Sequence, residues 1–136
     1  SVAETAGDDE KIDGGRMNCE VDDLRALKAA LEKMCAALKR DAVPENAVFN
    51  CKLVACELLS NALRYGGGCA EFHAEKQDGE VIIRVRSANN ARPPEQAVCS
   101  SVTEERGRGL FLVDALAESR TFSEKDGICV IIRILQ

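Results

Sequence analysis

The chain divides at three consecutive glycines, residues 66–68, into a half with helical spacing of apolar side chains and a half with mostly strand-like spacing. In the first half, apolar residues recur at alternating steps of three and four, as on one face of a helix: Leu24, Leu27, Leu31, Met34 and Leu38. With Asp22 as its N-cap, this pattern predicts a first helix from Val21. Pro44 interrupts the pattern, and a second helix is predicted from there to Tyr65, where the glycines end it.

Four strands and a third helix are predicted after the glycines. Residues 70–76 and 80–86, and then 120–123 and 128–135, are short strand-like runs, each pair joined by an Asp-Gly turn. Between the pairs, a polar loop leads into a helix that Gly107 opens. Because each helix has one apolar side to bury, we expect an α+β fold: a two-layer α/β sandwich, with helices on one face of a mixed, mostly antiparallel sheet.

Length, charge and cysteine content exclude several classes of protein. The 136 residues suit one domain at 17–136, after an acidic, flexible tail or linker at 1–16. No apolar run could span a bilayer and no signal peptide is recognised, so a cytoplasmic protein is expected. A net charge of −5 disfavours a nucleic-acid-binding protein. The seven cysteines lack C-x-x-C spacing and the single histidine, His73, has no spaced partner, which disfavours a zinc site.

A polar arc on the second helix is the first candidate site. Glu57, Ser60, Asn61 and Arg64 fall on one side of an otherwise apolar run, and Glu57 and Asn61 are one turn apart. An amide oxygen is a hard ligand for Mg²⁺, and a carboxylate can orient or deprotonate a nucleophile. The alternative is that this arc simply faces solvent, as the polar side of an amphipathic helix does.

The start of the third helix is the second candidate site. Gly107 and Gly109 permit close approach of the backbone to a ligand, and a helix start presents free N–H groups to phosphate. Arg106 and Arg108 add positive charge. The alternative is that the glycines only make a tight turn from the loop into the helix.

The two motifs together resemble a known family. Glu57-x-x-x-Asn61, followed by Arg64-Tyr65-Gly66, resembles the N box of the Bergerat-fold (GHKL) ATPases, and residues 106–110 resemble their G2 box. The resemblance covers the chain from about residue 20 to the C-terminus, and the short layout is most similar to the anti-sigma-factor serine kinases.

That resemblance implies ATP and Mg²⁺ as cofactors, with Asn61 binding the metal and Glu57 acting as catalytic base on a protein serine hydroxyl. It implies a lid at residues 91–106. The nucleotide-binding residues that it implies, departures included, are Asn61, Arg64, Ser87, Asn89, Arg106, Gly107, Arg108, Gly109, Leu110 and Cys129. The implied partners are a STAS-domain anti-anti-sigma factor, as substrate, and a sigma factor. Direct contact with nucleic acid or membrane is not implied, and homodimerisation is left open.

The sequence departs from the family where adenine is read. Ser87 stands where the family has an Asp, the G1 glycines are missing, and Cys129 stands where a Thr is expected. Asn89 or Asn90 offers both a donor and an acceptor to an adenine edge, which would compensate for the missing Asp. The alternative function is a degenerate domain that does not use nucleotides and acts as a protein-interaction module in transcriptional or signalling control. A detached sensor histidine kinase domain is the third interpretation.

Overall fold

The computed structural model describes residues 16–89 and 105–134, and for residues 105–109 it describes only the backbone. Residues 1–15 of the predicted tail, Asn90 and residues 91–104 of the predicted lid lie outside this part of the chain, whereas Arg16, the last residue of the predicted tail, is the first residue of a strand. The elements are β1 (Arg16–Val21), α1 (Leu24–Arg40), α2 (Glu45–Tyr65), β2 (Ala70–Gln77), β3 (Glu80–Ser87), α3 (Glu105–Leu116), β4 (Ser119–Ser123) and β5 (Gly127–Arg133).

The five strands form one sheet in the order β1-β2-β3-β5-β4. All four pairings between these strands are antiparallel, so the predicted mixed sheet is corrected to an antiparallel one. The helices pack on the sheet and on each other, with α2 contacting both α1 and α3. The predicted α+β class and two-layer sandwich are confirmed.

Alternation along β3 shows how the sheet divides between core and exterior. Val81, Ile83 and Val85 are buried in the core cluster under the helices, whereas Arg84 and Arg86 point to the opposite face of the sheet. The helices complete the core with their own apolar faces, including the fully buried residues Met34, Val54, Leu58, Leu59, Leu110 and Val113.

The two long helices begin and end close to the predicted positions. The N-cap of α1 is Asp23 rather than Asp22: its Oδ1 accepts a hydrogen bond of 2.7 Å from the amide of Ala26. The second helix follows Pro44 and ends at Gly66, as predicted. α3 begins at Glu105, before Gly107, so the glycines lie inside its first turns rather than ahead of the helix, and it ends at Leu116.

The strand β1 is not among the predicted elements. Met17 and Val21 are buried and Cys19 is partly buried, while the intervening Asn18 and Glu20 are exposed. This alternation is the sequence signal that identifies the strand, but it covers only six residues directly beside an acidic segment. Pairing with β2 stabilises it, since a strand this short gains its hydrogen bonds from a neighbour.

None of the helices in the described ranges combines the length and the apolarity that crossing a membrane requires.

The outer face of the sheet carries a hydrogen-bonded carboxylate. Glu75 Oε1 lies 2.6 Å from Nε2 of His73, and Glu75 Oε2 accepts a 2.6 Å bond from the side chain of Gln77. The other ring nitrogen of His73 lies 2.7 Å from Oδ1 of Asn18, so this histidine has two neighbours of its own on the sheet. The hydrogen bond from His73, followed by that from Gln77, lowers the pKa of the Glu75 carboxyl.

We expect Glu75→Gln to destabilise the protein at pH 7 but much less at pH 3. A carboxyl whose pKa is lower in the folded chain than in the unfolded chain contributes stability above the unfolded pKa, and this contribution is lost as the pH falls through the folded pKa. A hydrogen-bonded charge of this kind contributes about 1 kcal/mol. Urea unfolding of both proteins at the two pH values measures the difference; an equal loss at pH 7 and pH 3 would contradict the assignment.

Candidate functional site

Asn61 is the one polar residue that is buried as a whole among the described residues, with 8% of its surface exposed. None of the hydrogen bonds formed by this part of the chain involves its amide. A buried polar group without a partner costs about 1–3 kcal/mol, so native proteins retain one only where something else satisfies it. The amide of Asn61 is therefore the candidate ligand contact among the described residues.

The other residues of the polar arc are more exposed than Asn61. Glu57, one turn before Asn61, and Ser60 are partly buried, and Arg64 is exposed at the end of α2. The arc is thus buried at Asn61 and exposed at Arg64. The alternative that the whole arc faces solvent does not describe it. Its carboxylate and its amide both lie on the last three turns of α2, the helix that packs against α3.

The second motif supplies the start of α3. The helical backbone begins at Glu105, so the amides of its first turn, including those of Arg106 and Gly107, have no acceptor within the helix. The side chains of Arg106 and Arg108 lie outside what the structure describes. Leu110 is 1% exposed and belongs to the core, so its side chain anchors α3 to the sandwich.

Ser87 lies at the end of β3, against the C-terminal end of α2. A Cβ placed on Gly66 would lie 2.4 Å from the Cβ of Ser87, so glycine is required for these two chain segments to approach. The sequence analysis assigns Gly66 only the role of ending a helix. Its place in a run of three glycines is the sequence signal that also fits this close contact. Ser87 and Asn61 thus both belong to the region where the last turns of α2 meet the end of β3.

Asn89 joins the same two segments. Its backbone amide donates to the carbonyl of Gly66 at 3.0 Å, its side-chain Nδ2 donates to the carbonyl of Tyr65 at 3.3 Å, and its Oδ1 accepts from the Ser87 hydroxyl at 3.4 Å. The side-chain amide of Asn89, which the sequence analysis proposes as a contact for adenine, therefore already holds the turn after β3 against the end of α2.

Cys129 lies apart from these residues. It is paired with Arg84 on β3 and with Thr121 on β4, and directly paired residues share one face of a sheet. That face is the one turned away from the helices. At this end of the sheet Ile128, paired with Val85, packs against the core instead, so the structure does not bring Cys129 together with Asn61 and Ser87.

The described residues contain no group of three His, Cys, Asp or Glu side chains that could hold a metal ion by themselves. A metal carried by phosphates needs fewer protein ligands, since Mg²⁺ is held by one or two side chains together with phosphate oxygens and water. The Asn61 amide, which has no hydrogen bond among the described residues and lies one helical turn from the Glu57 carboxylate, fits that requirement.

These features define a domain suited to bind the phosphates of a nucleotide, and comparison with known families agrees. The chain belongs to the histidine kinase-like ATPase domain family, whose model matches residues 20–134. Membership of this family implies ATP binding, generally with Mg²⁺. No curated protein matches the chain in sequence.

Proposed function

We propose that this domain is a cytoplasmic protein serine/threonine kinase of the anti-sigma-factor type, which transfers a phosphoryl group from ATP to a serine of a STAS-domain partner and also binds a sigma factor. The observation that carries the proposal is the buried amide of Asn61, which has no hydrogen-bond partner in the part of the chain that the structure describes, with a carboxylate one turn away. Membership of the family implies that the domain binds ATP. The pair of side chains supports a metal-dependent transfer of a phosphoryl group to a hydroxyl.

Each residue of the site has a task that its surroundings favour. The Asn61 oxygen would hold Mg²⁺, and the free amides at the start of α3 would hold phosphate oxygens, which a helix N-terminus attracts. ATP, when bound, supplies the γ-phosphoryl group. Glu57 is partly buried and so remains reachable, and its carboxylate would accept the proton of the serine hydroxyl as the new phosphoester bond forms and ADP leaves.

The residues that would read adenine favour a second function, an interaction module that does not use nucleotides. Here Ser87 replaces an acidic side chain and its hydroxyl donates to Asn89, which in turn is bound to the end of α2. A hydrogen bond to a charged group contributes about 1.5–3 kcal/mol, which corresponds to about one to two decades of affinity. Loss of this hydrogen bond weakens ATP binding. A domain that no longer binds ATP would act only through the surfaces that bind other proteins.

Calorimetry with ATP and Mg²⁺ on the wild type and on Ser87→Asp separates the two functions. For the kinase, we expect weak binding by the wild type and binding tighter by about tenfold in Ser87→Asp, because a carboxylate accepts from the adenine amino group. If neither protein binds ATP, the kinase proposal fails and the interaction module remains.

Glu57→Gln separates catalysis from binding. We expect this variant to bind ATP within about threefold of the wild type, but to transfer the γ-phosphoryl group to STAS-domain proteins about 10²–10⁴ times more slowly, as loss of a general base does. Transfer of radiolabel from ATP to a panel of purified STAS-domain proteins measures the rate. Equal transfer by Glu57→Gln and the wild type would exclude Glu57 as the base.

A further inference from the structure

An ion pair joins the C-terminal end of α3 to the strand that follows it. Arg120 of β4 donates two hydrogen bonds to the Asp114 carboxylate of α3, from Nε to Oδ1 at 2.6 Å and from Nη2 to Oδ2 at 2.9 Å. The Arg120 side chain is 7% exposed and that of Asp114 is 35% exposed. Two parallel hydrogen bonds fix the orientation of the two groups as well as their distance. The pair therefore holds α3 to the sheet in a defined orientation.

Both charges stand where the local sequence does not favour them. Asp114 lies in the last turn of α3, residues 113–116, and that turn carries no basic side chain. The C-terminal end of a helix has a partial negative charge, so a carboxylate there is unfavourable unless a cation lies beside it. Arg120 is paired with the core residue Val130, so its side chain is on the face of the sheet that the helices cover. Arg120 thus compensates a carboxylate that would otherwise weaken the end of α3.

The first turns of α3 depend on how the rest of the helix is held. They contain Gly107 and Gly109, and glycine disfavours helical backbone. The helix is packed further along, where Leu110 and Val113 lie in the core, and it ends at the ion pair of Asp114. A helix rises about 1.5 Å per residue, so a tilt of about 10° at Asp114 moves the amide of Gly107 by about 2 Å. A displacement of this size breaks a hydrogen bond.

We propose that Arg120 is a positioning residue for the phosphate site. Through Asp114 it sets the tilt of α3, and the tilt places the amides at the start of the helix against the phosphate oxygens. This role rests on the proposed function, which assigns phosphate to those amides. Arg120 acts from the opposite end of the helix and takes no part in the transfer itself.

A second ion pair beside the same segment supplies a matched control. Arg133 of β5 donates to the Glu118 carboxylate from Nε at 3.1 Å and from Nη2 at 3.2 Å. Its chemistry is the same, but Glu118 follows the end of α3, and the Arg133 and Glu118 side chains are 59% and 47% exposed. Exposed ion pairs contribute little to stability. Glu118→Gln should therefore leave the position of α3 unchanged.

Nuclear magnetic resonance titrations with ATP, ADP and adenosine, each in the presence of Mg²⁺, test the role of the buried pair. We expect Asp114→Asn to bind ATP and ADP about tenfold more weakly than the wild type, which is the contribution of one hydrogen bond to a charged group. Adenosine has no phosphate for α3 to bind, so its affinity should change by less than about twofold. Glu118→Gln should match the wild type with all three ligands. Equal losses for adenosine and ATP, or unchanged ATP affinity, would overturn the proposal.

A double variant separates positioning from stability. In Asp114→Asn with Arg120→Met, methionine fills the space of the buried guanidinium without a charge, and neutral side chains can replace a buried ion pair without loss of stability. We expect its unfolding temperature to return close to that of the wild type, while ATP affinity stays about tenfold lower. A stable double variant with wild-type ATP affinity would refute the role of Arg120. If the wild type binds no ATP, the proposed function fails as well; if it binds ATP and both variants bind equally well, only the role of Arg120 fails.

Discussion

Replacing Asn61 with leucine should abolish ATP binding while leaving the free protein at least as stable as the wild type. Leucine has the same branched arrangement of four side-chain heavy atoms as asparagine, with methyl groups in place of the amide oxygen and nitrogen, and it removes a buried amide that has no hydrogen bond within the described residues. The folded chain therefore loses a desolvation cost of about 1–3 kcal/mol and loses no internal contact in exchange. The ligand, in contrast, loses the oxygen that we propose holds its metal, and affinity should fall by at least about a hundredfold.

Thermal unfolding with and without ATP and Mg²⁺ measures both effects together. A bound ligand raises the unfolding temperature in proportion to the logarithm of its concentration over its dissociation constant, and this rise should disappear in Asn61→Leu. Asn50→Leu is the matched control, because Asn50 lies on the same helix, is partly buried and precedes the polar arc. A ligand-dependent rise in Asn61→Leu equal to that of the wild type would refute the assignment of Asn61.

Gly127→Ala should strongly destabilise the protein. Gly127, the first residue of β5, has φ +79°, and an added Cβ would lie 2.4 Å from the carbonyl oxygen of Val85 and 2.6 Å from the Cα of Arg86. Both contacts are with the backbone of β3, which cannot move without breaking its pairing. The conformational strain and the steric clash together should lower the free energy of unfolding by about 2–4 kcal/mol.

Gly68→Ala separates strain from clash. Gly68 has φ +84° but nothing lies within 4 Å of the position where a Cβ would be, so only the conformational strain of about 1 kcal/mol applies. Urea unfolding should rank the wild type first, Gly68→Ala next and Gly127→Ala last, with a fall in unfolding temperature of about 10 °C for the last. Equal losses in the two variants would mean that the contact with β3 relaxes without cost.

The helices and hairpins could be predicted because their signals are local. The three-four spacing of α1, the stop at Gly66 and the two Asp-Gly turns depend on backbone preferences within a few residues. The strand β1 was not predicted because six residues of alternation are a weak signal until a neighbouring strand supplies hydrogen bonds. The predicted start of α3, at Gly107, lies two residues after the observed start for a related reason. Glycine disfavours helical backbone locally, whereas packing of Leu110 and Val113 in the core favours the helix.

The sequence by itself determined the order of the elements after β1, the placement of Glu57 and Asn61 on one side of α2, and the family resemblance. Only the tertiary structure decided that Asn61 is buried without a hydrogen-bond partner among the described residues, that the Asn89 side chain is hydrogen-bonded to the end of α2, and that Cys129 lies on the far face of the sheet. The physical reason is that helical periodicity is set within a single segment. Burial and strand register, in contrast, depend on which distant segments pack together, and a shift of one residue turns a side chain to the opposite face.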